Sequence, residues 1–251
     1  MEFEFYYYAL FLATGIIAGF IDAIAGGGGI ITIPVLLASG IPPHIALATN
    51  KLQGTFGSGM ASINFIRKGF IHWDDVKIGV FYTFIGAALG TYAVLLMDAS
   101  LLAKSIPILL VAIFVYTLLS PKMGENDRHA YMGSHLFFLI FGLGLGFYDG
   151  FFGPGTGSFL LFAFLMVGFD FIGAAANARA LNFASNISAS LLFAYFGLVE
   201  FSYVIPMGLA MIAGAWCGAH MALKKGTGYV RPLFVIMTTV LIGKQLIDLW
   251  K

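Results

Sequence analysis

Charge is the scarcest commodity in this sequence. Of 251 residues, 13 are Lys or Arg and 12 are Asp or Glu, 10% in all, against roughly 25% in a soluble domain. The net charge is +1, which excludes a chain that binds nucleic acid or acidic proteins through a basic surface. There is one cysteine, Cys217, so an intramolecular disulfide is excluded, and this residue reads as a small apolar packing group. Histidines are also few: His44, His72, His129, His135 and His220 lie near predicted helix ends without metal-ligand spacing. No metal and no cofactor is expected. The four glycines at 26–29 are not followed by Gly-Lys-Ser/Thr, so they are no nucleotide-binding loop. Met1–Phe5 has no basic n-region, so the first apolar run reads as a retained span and not a signal peptide. No soluble domain is expected at either end.

Apolar residues are abundant. The chain is 60% hydrophobic, with a mean hydropathy of +0.93, and several runs exceed the ~18 apolar residues of a membrane span. The fold class that follows is an all-α polytopic membrane protein. Glycine punctuates these runs twice. The first interruption is Gly19-Phe-Ile-Asp-Ala-Ile-Ala-Gly-Gly-Gly-Gly29, and the second is Gly146-Phe-Tyr-Asp-Gly-Phe-Phe-Gly-Pro-Gly-Thr-Gly157. Asp22 lines up with Asp149, Gly26 with Gly153 and Gly28 with Gly155, 127 residues on. Glycine costs roughly 1 kcal/mol per residue in a helix interior, so each helix should break there. Interrupted apolar segments at matching places in two halves point to a transporter's binding site.

The expected spans run over 5–22, 43–66, 74–97 and 101–120, then 135–149, 171–196, 202–223 and 229–250. Half-length helices follow each break, over 30–39 and up to 167. Pro42 and Pro43 suit the first turn of the helix at 43. Residues 1–120 form one repeat, 121–134 a connecting loop and 135–251 the other repeat. In the 127-residue register Asn50 falls opposite Asn177, whereas Gly69, Gly86 and Gly90 meet Gly197, Gly214 and Gly218 after a one-residue shift. Those later glycines read as close helix-packing positions. The cation of the second half, Arg179, is then displaced by one residue from Lys51.

Loop charge sets the orientation. Arg67, Lys68 and Lys77 put the 67–77 loop inside, Lys122 and Arg128 favour inside for 121–134, and Lys224, Lys225 and Arg231 put 224–231 inside. The 197–202 loop holds Glu200 and no cation, so it fits outside. These assignments agree if each broken segment and its half-helix form a hairpin that enters and leaves on one side. The two repeats are then inverted, each with a glycine-broken re-entrant unit plus three transmembrane helices, and both termini lie outside. Lys244 and Lys251 run against that last point.

Polar residues gather in mid-span. The helix at 43–66 carries Asn50, Lys51 and Gln53, and that at 171–196 carries Asn177, Arg179 and Asn182. A cation at mid-bilayer costs ~2.5–3.5 kcal/mol on insertion scales, so it faces a cavity or a partner. Lys51 and Arg179 read either as ligands of an anion or as structural partners of the aspartates. Gly28, Gly29, Gly155 and Thr156 lie where half-helix N-termini would offer free N–H groups to an anion. Asp22 and Asp149 could pair the cations, cap the half-helices or carry protons. The four charged groups sum to zero.

At these residues the sequence resembles the TauE/SafE sulfite exporter family, also called toluene sulfonate uptake permeases. The segments Gly19–Gly29, Ala46-Leu-Ala-Thr-Asn-Lys51 and Gly146–Gly155 carry the resemblance. It implies a bacterial inner-membrane transporter or facilitator, not an enzyme, moving sulfite, a sulfonate or a related sulfur-containing or organic anion. The expected partners are that small anion and the lipid bilayer, with a homo-oligomer allowed and no nucleic acid. The competing reading is an intramembrane aspartyl hydrolase using Asp22 and Asp149. It lacks a Gly-x-Gly-Asp sequence and leaves the cation-bearing helices unexplained.

Overall fold

The computed structural model describes residues 5–119 and 134–225. The helix expected at 229–250 and most of the 121–134 loop lie outside the described residues. Among the described residues every regular element is helical: α1 (Phe5–Ala25), α2 (Gly28–Ala38), α3 (Pro43–Arg67), α4 (Trp73–Leu95), α5 (Ala99–Leu119), α6 (Ser134–Phe137), α7 (Leu143–Phe151), α8 (Thr156–Met166), α9 (Phe171–Tyr195) and α10 (Phe201–Lys225). A π-helical stretch, Phe138–Gly142, joins α6 to α7, so 134–151 is one rod. The observed ends fall within a few residues of the expected spans.

Among the described residues three helical stretches are long and apolar enough to cross a membrane: Tyr6–Ile24, Trp73–Leu95 and Phe201–Lys224. Helices α3 and α9 have 25 residues each, about 37 Å at 1.5 Å per residue, but they are polar in the middle. Helices α2 and α8 have 11 residues each, about half of a ~30 Å hydrocarbon core. The solvent pattern of a soluble protein is turned over. Asn50, Lys51, Gln53, Asp149, Arg179 and Asn182 are buried, while Leu12, Phe81, Leu89, Leu191 and Leu209 are exposed. An apolar exterior around a polar interior is what a bilayer requires.

Both helix breaks occur where the backbone turns left-handed. Gly26 and Gly27 have φ of 78° and 102°, and Gly153 and Gly155 have 102° and 83°, a region that costs side-chain-bearing residues about 1–2 kcal/mol. The eight left-handed glycines among the described residues form four pairs between the halves: 26/153, 27/155, 40/168 and 69/197.

The helix starts correct the repeat register. From α2 onward the offset is 128 residues, since Gly28 and Thr156 open the half-helices and Pro43 and Phe171 open the long ones. The extra residue sits in the second turn, where Gly153-Pro154-Gly155 replaces Gly26-Gly27. Gly27, not Gly28, is therefore the counterpart of Gly155. Lys51 and Arg179 are each the ninth residue of their helix, so the displacement expected between them disappears.

Packing is crossed between the halves. Helix α1 lies against α10, with Phe11 near Tyr203, Gly15 against Met207, Gly19 against Met211 and Gly218 against Phe20. The contacts rise along both helices, so the two run parallel. Helix α4 lies against α7 in the same way, with Thr83 on Gly146, Ala87 on Gly150 and Gly90 on Phe147 and Phe151. A Cβ at Gly86 or Gly90 would overlap the carbonyl oxygens of Leu143 or Phe147, and one at Gly214 or Gly218 those of Ile16 or Phe20. These glycines serve close packing, as the sequence suggested. Between α3 and α9 the order reverses: Gly54 faces Asn186 whereas Gly59 faces Phe183, so these two run antiparallel.

Candidate functional site: a charged cavity between two glycine turns

The two glycine turns meet at the centre of the molecule. A Cβ on Gly26 would overlap the backbone of Gly157 and Ser158. Tyr148 ties its own turn together by donating its hydroxyl to the Pro154 carbonyl at 2.7 Å. Beside the turns lies a small cavity. Both halves line it: Asp22, Gly27–Gly29, Asn50, Lys51 and Gly54 from one, Asp149, Gly153, Gly157, Asn182, Asn186 and Met211 from the other.

Each cation reaches the aspartate of the opposite half. Lys51 Nζ donates to Asp149 Oδ1 at 2.7 Å. Arg179 Nη1 donates to the Asp22 carbonyl at 2.5 Å and stands 3.4 Å from Asp22 Oδ2. Lys51, Asp149 and Arg179 are 1%, 1% and 0% exposed, and Asp22 is 7% exposed. Each cation needs a neighbouring glycine. A Cβ on Gly153 would collide with Lys51 Nζ, and one on Gly157 with the Arg179 guanidinium.

The two carboxylates are held differently. Asp22 Oδ1 accepts from the backbone N–H groups of Gly27 and Gly28, 3.1 Å each. It thereby satisfies the N-terminus of α2 with the chain's own negative charge. Asp149 receives no such pair. Its Oδ2 accepts from Ser185 Oγ and, at 3.3 Å, from Asn182 Nδ2, and its Oδ1 faces Lys51. No hydrogen bond joins the two carboxylates among the described residues. A proton-sharing acid dyad is therefore unsupported, since each acid has a cation of its own.

Of the residues singled out from the sequence, Lys51, Asn50, Gly28, Gly29, Asn182, Asp22 and Asp149 line this cavity; Arg179, Gln53, Asn177, Gly155 and Thr156 do not. Asn50 is steered by Thr32 of α2, whose hydroxyl donates to Asn50 Oδ1 at 2.7 Å. Asn177 Nδ2 donates within its own helix to the Gly173 carbonyl at 2.9 Å. The Thr156 hydroxyl closes its turn on the Gly153 carbonyl at 2.7 Å. Gln53 is buried with neither amide atom hydrogen-bonded. Arg179 packs directly behind Gly157, one residue from the cavity wall. Asn186, Gly54 and Met211 were not picked out as site residues. Helical spacing offers the first two, because Asn186 is four residues after Asn182 and Gly54 three after Lys51.

Comparison with known proteins places the whole chain. A protein of Haemophilus influenzae named "Probable membrane transporter protein" is 42% identical over 241 residues, covering 96% of this chain and 94% of that one. The protein YfcA of Escherichia coli K12, with the same designation, is 45% identical over 233 residues, 92% of this chain and 87% of its own. A Sinorhizobium protein, ORF9, also so named, is 40% identical over 248 residues, 98% and 95% of the two chains. No solved structure gives a significant match. Residues 11–244 match the family described as sulfite exporter TauE/SafE, and the chain belongs to that family of membrane transporters.

Proposed function

We propose that the protein is a secondary transporter or facilitator that binds a small anion, in the class of sulfite and sulfonates, near mid-membrane between two inverted repeats. The observation that carries this reading is the Lys51 ammonium, buried in a cavity between two glycine turns and held by a carboxylate of the other half. An ammonium is kept in a membrane interior where it meets a charged partner or cargo. In this reading the anion takes the ammonium as its counterion, and Asn50 and Asn182 supply hydrogen bonds. The family's name supports the sulfur oxyanion class. Inversion is supported by helix direction: α3 and α9 run antiparallel, while α1 pairs in parallel with α10 and α4 with α7. Helix α4 also runs parallel to α9, with Gly79 near Leu181 and the Phe84 carbonyl accepting from Ser188, so α4, α7 and α9 share one direction, opposite to α3.

The test is anion flux into liposomes carrying the purified protein, run across sulfite, thiosulfate, methanesulfonate and acetate with substrate-cleavage controls. Saturable flux of a sulfur oxyanion, lost in Lys51→Met, is the expected result. No protein-dependent flux of any of these anions would overturn the reading.

A further inference from the structure

We infer that Asp149 is the proton carrier of a proton–anion symport: as an anion binds Lys51, Asp149 takes up one proton, and the two cross together. This rests on the anion-transport reading above and adds its coupling. Among the described residues four charges surround the site, Lys51 and Arg179 against Asp22 and Asp149, and they balance. A monoanion entering the cavity leaves an excess negative charge in a buried site, and uncompensated buried charge is strongly unfavourable. One proton on one carboxylate restores the balance.

The geometry selects which carboxylate. Both oxygens of Asp22 already have fixed donors, Oδ1 on two backbone N–H groups and Oδ2 facing the Arg179 guanidinium. Its neighbours do not leave when an anion arrives. Asp149 differs at one oxygen. Oδ2 keeps neutral donors, Ser185 and Asn182, whichever state the acid is in. Among the described residues Oδ1 has the Lys51 ammonium alone, and that is the group an anion draws away. Asp149 lines the cavity, so a proton that enters with the anion can take the vacated Oδ1. Lys51 is a poor alternative, because a neutral amine would release the anion it binds.

Among the described residues, the charged and titratable groups facing Asp149 are Lys51 on α3, Arg179 on α9, Asp22 on α1 across the cavity, and Tyr148 beside it on α7. Helix α4 meets this end of α7 with Thr91, which donates to the Gly150 carbonyl, and with Ala87. From α10 the cavity receives Met211. None of the last three titrates.

The experiment uses liposomes with a pH-sensitive dye inside and methanesulfonate, thiosulfate or sulfite outside. Methanesulfonate and thiosulfate hold no titratable proton between pH 5 and 8, so acidification with these anions reports a proton moved by the protein. Anion entry is measured directly in parallel. The expected result with methanesulfonate is about one proton per anion and an entry indifferent to an imposed membrane potential. In Asp149→Asn the protons per anion should fall at least tenfold and entry should become potential-dependent. Asp22→Asn, at whatever rate it runs, should keep about one. Anion entry without acidification in the wild type would overturn the coupling and leave the transport reading standing. Acidification retained in a folded Asp149→Asn protein would overturn it as well. If none of the three anions enters, both inferences fall. Should Asp149→Asn fail to fold, the wild-type stoichiometry and its indifference to potential still decide.

Discussion

Replacing Lys51 by Met separates its two roles, because the structure names its partner. The substitution keeps length and apolar bulk and removes one charge. It breaks the 2.7 Å pair with Asp149, both partners 1% exposed. Breaking a buried pair by deleting one side costs about 3–5 kcal/mol, since an unpaired charge remains. Ser185 and Asn182 still donate to Asp149 Oδ2, so the lower end, about 3 kcal/mol, is expected. In a chain of this size that corresponds to a fall of about 6–12 °C in Tm. The double variant Lys51→Met with Asp149→Asn removes both charges and should recover most of that loss. Pairing Lys51→Met with Asp22→Asn should not, because Asp22 is held by Arg179 and by the turn. Binding of the transported anion is read separately, by calorimetry on detergent-purified protein. If Lys51 contacts the anion, affinity falls by ~1.5–3 kcal/mol, roughly 10–150-fold, and stays low in the stabilised double variant. Wild-type affinity in a well-folded Lys51→Met, Asp149→Asn protein would refute Lys51 as a ligand.

Three further outcomes follow from the geometry. Gly28→Val brings a branched side chain to a site where even a Cβ lies 3.0 Å from the Asp22 Cβ, and Gly155→Val strains a φ of 83°; both should insert into membranes yet lose anion flux, and wild-type flux in both would remove the turns from the mechanism. Gly86→Leu and Gly214→Leu push into equivalent backbone contacts, so both should lower the yield of folded protein and its Tm to similar extents, by about 1–3 kcal/mol or more, as measured by size-exclusion recovery and thermal melts. In a Cys217→Ser background, Lys68→Cys and Glu200→Cys should react with impermeant thiol reagents from opposite faces, Lys68→Cys from the cytoplasm; labelling from one common face would contradict inverted repeats.

The helices and their breaks were legible because glycine, proline and apolar run length act locally. The register error shows where that reading ends. Aligning glycine on glycine carried the 127-residue offset too far. Helix starts depend on which glycine turns left-handed, and Pro154 adds a residue within the second turn. The one-residue shift at Gly69, Gly86 and Gly90 is the clue the sequence offers, and its origin is the second turn, ahead of the polar helix. Lys51 and Arg179 therefore read as offset in the sequence, although each is the ninth residue of its helix. The central charges were legible as a set, since buried cations in a membrane demand partners. Which aspartate each cation takes was not, because the pairing crosses between halves and depends on α3 and α9 packing side by side. The π-helical stretch at Phe138–Gly142 has no counterpart in α1 and no composition that announces it.

The glycine contacts along α1 and α4 also govern biogenesis. Helix α1 seals against α10, and α4 against α7, by backbone approach that no lipid chain can imitate. When a ribosome has delivered only the first half, both of those faces are still waiting for helices not yet made. The early intermediate must therefore sit in the bilayer as loosely associated spans, and the finished interior closes only when the second half threads in. Each half completes the other.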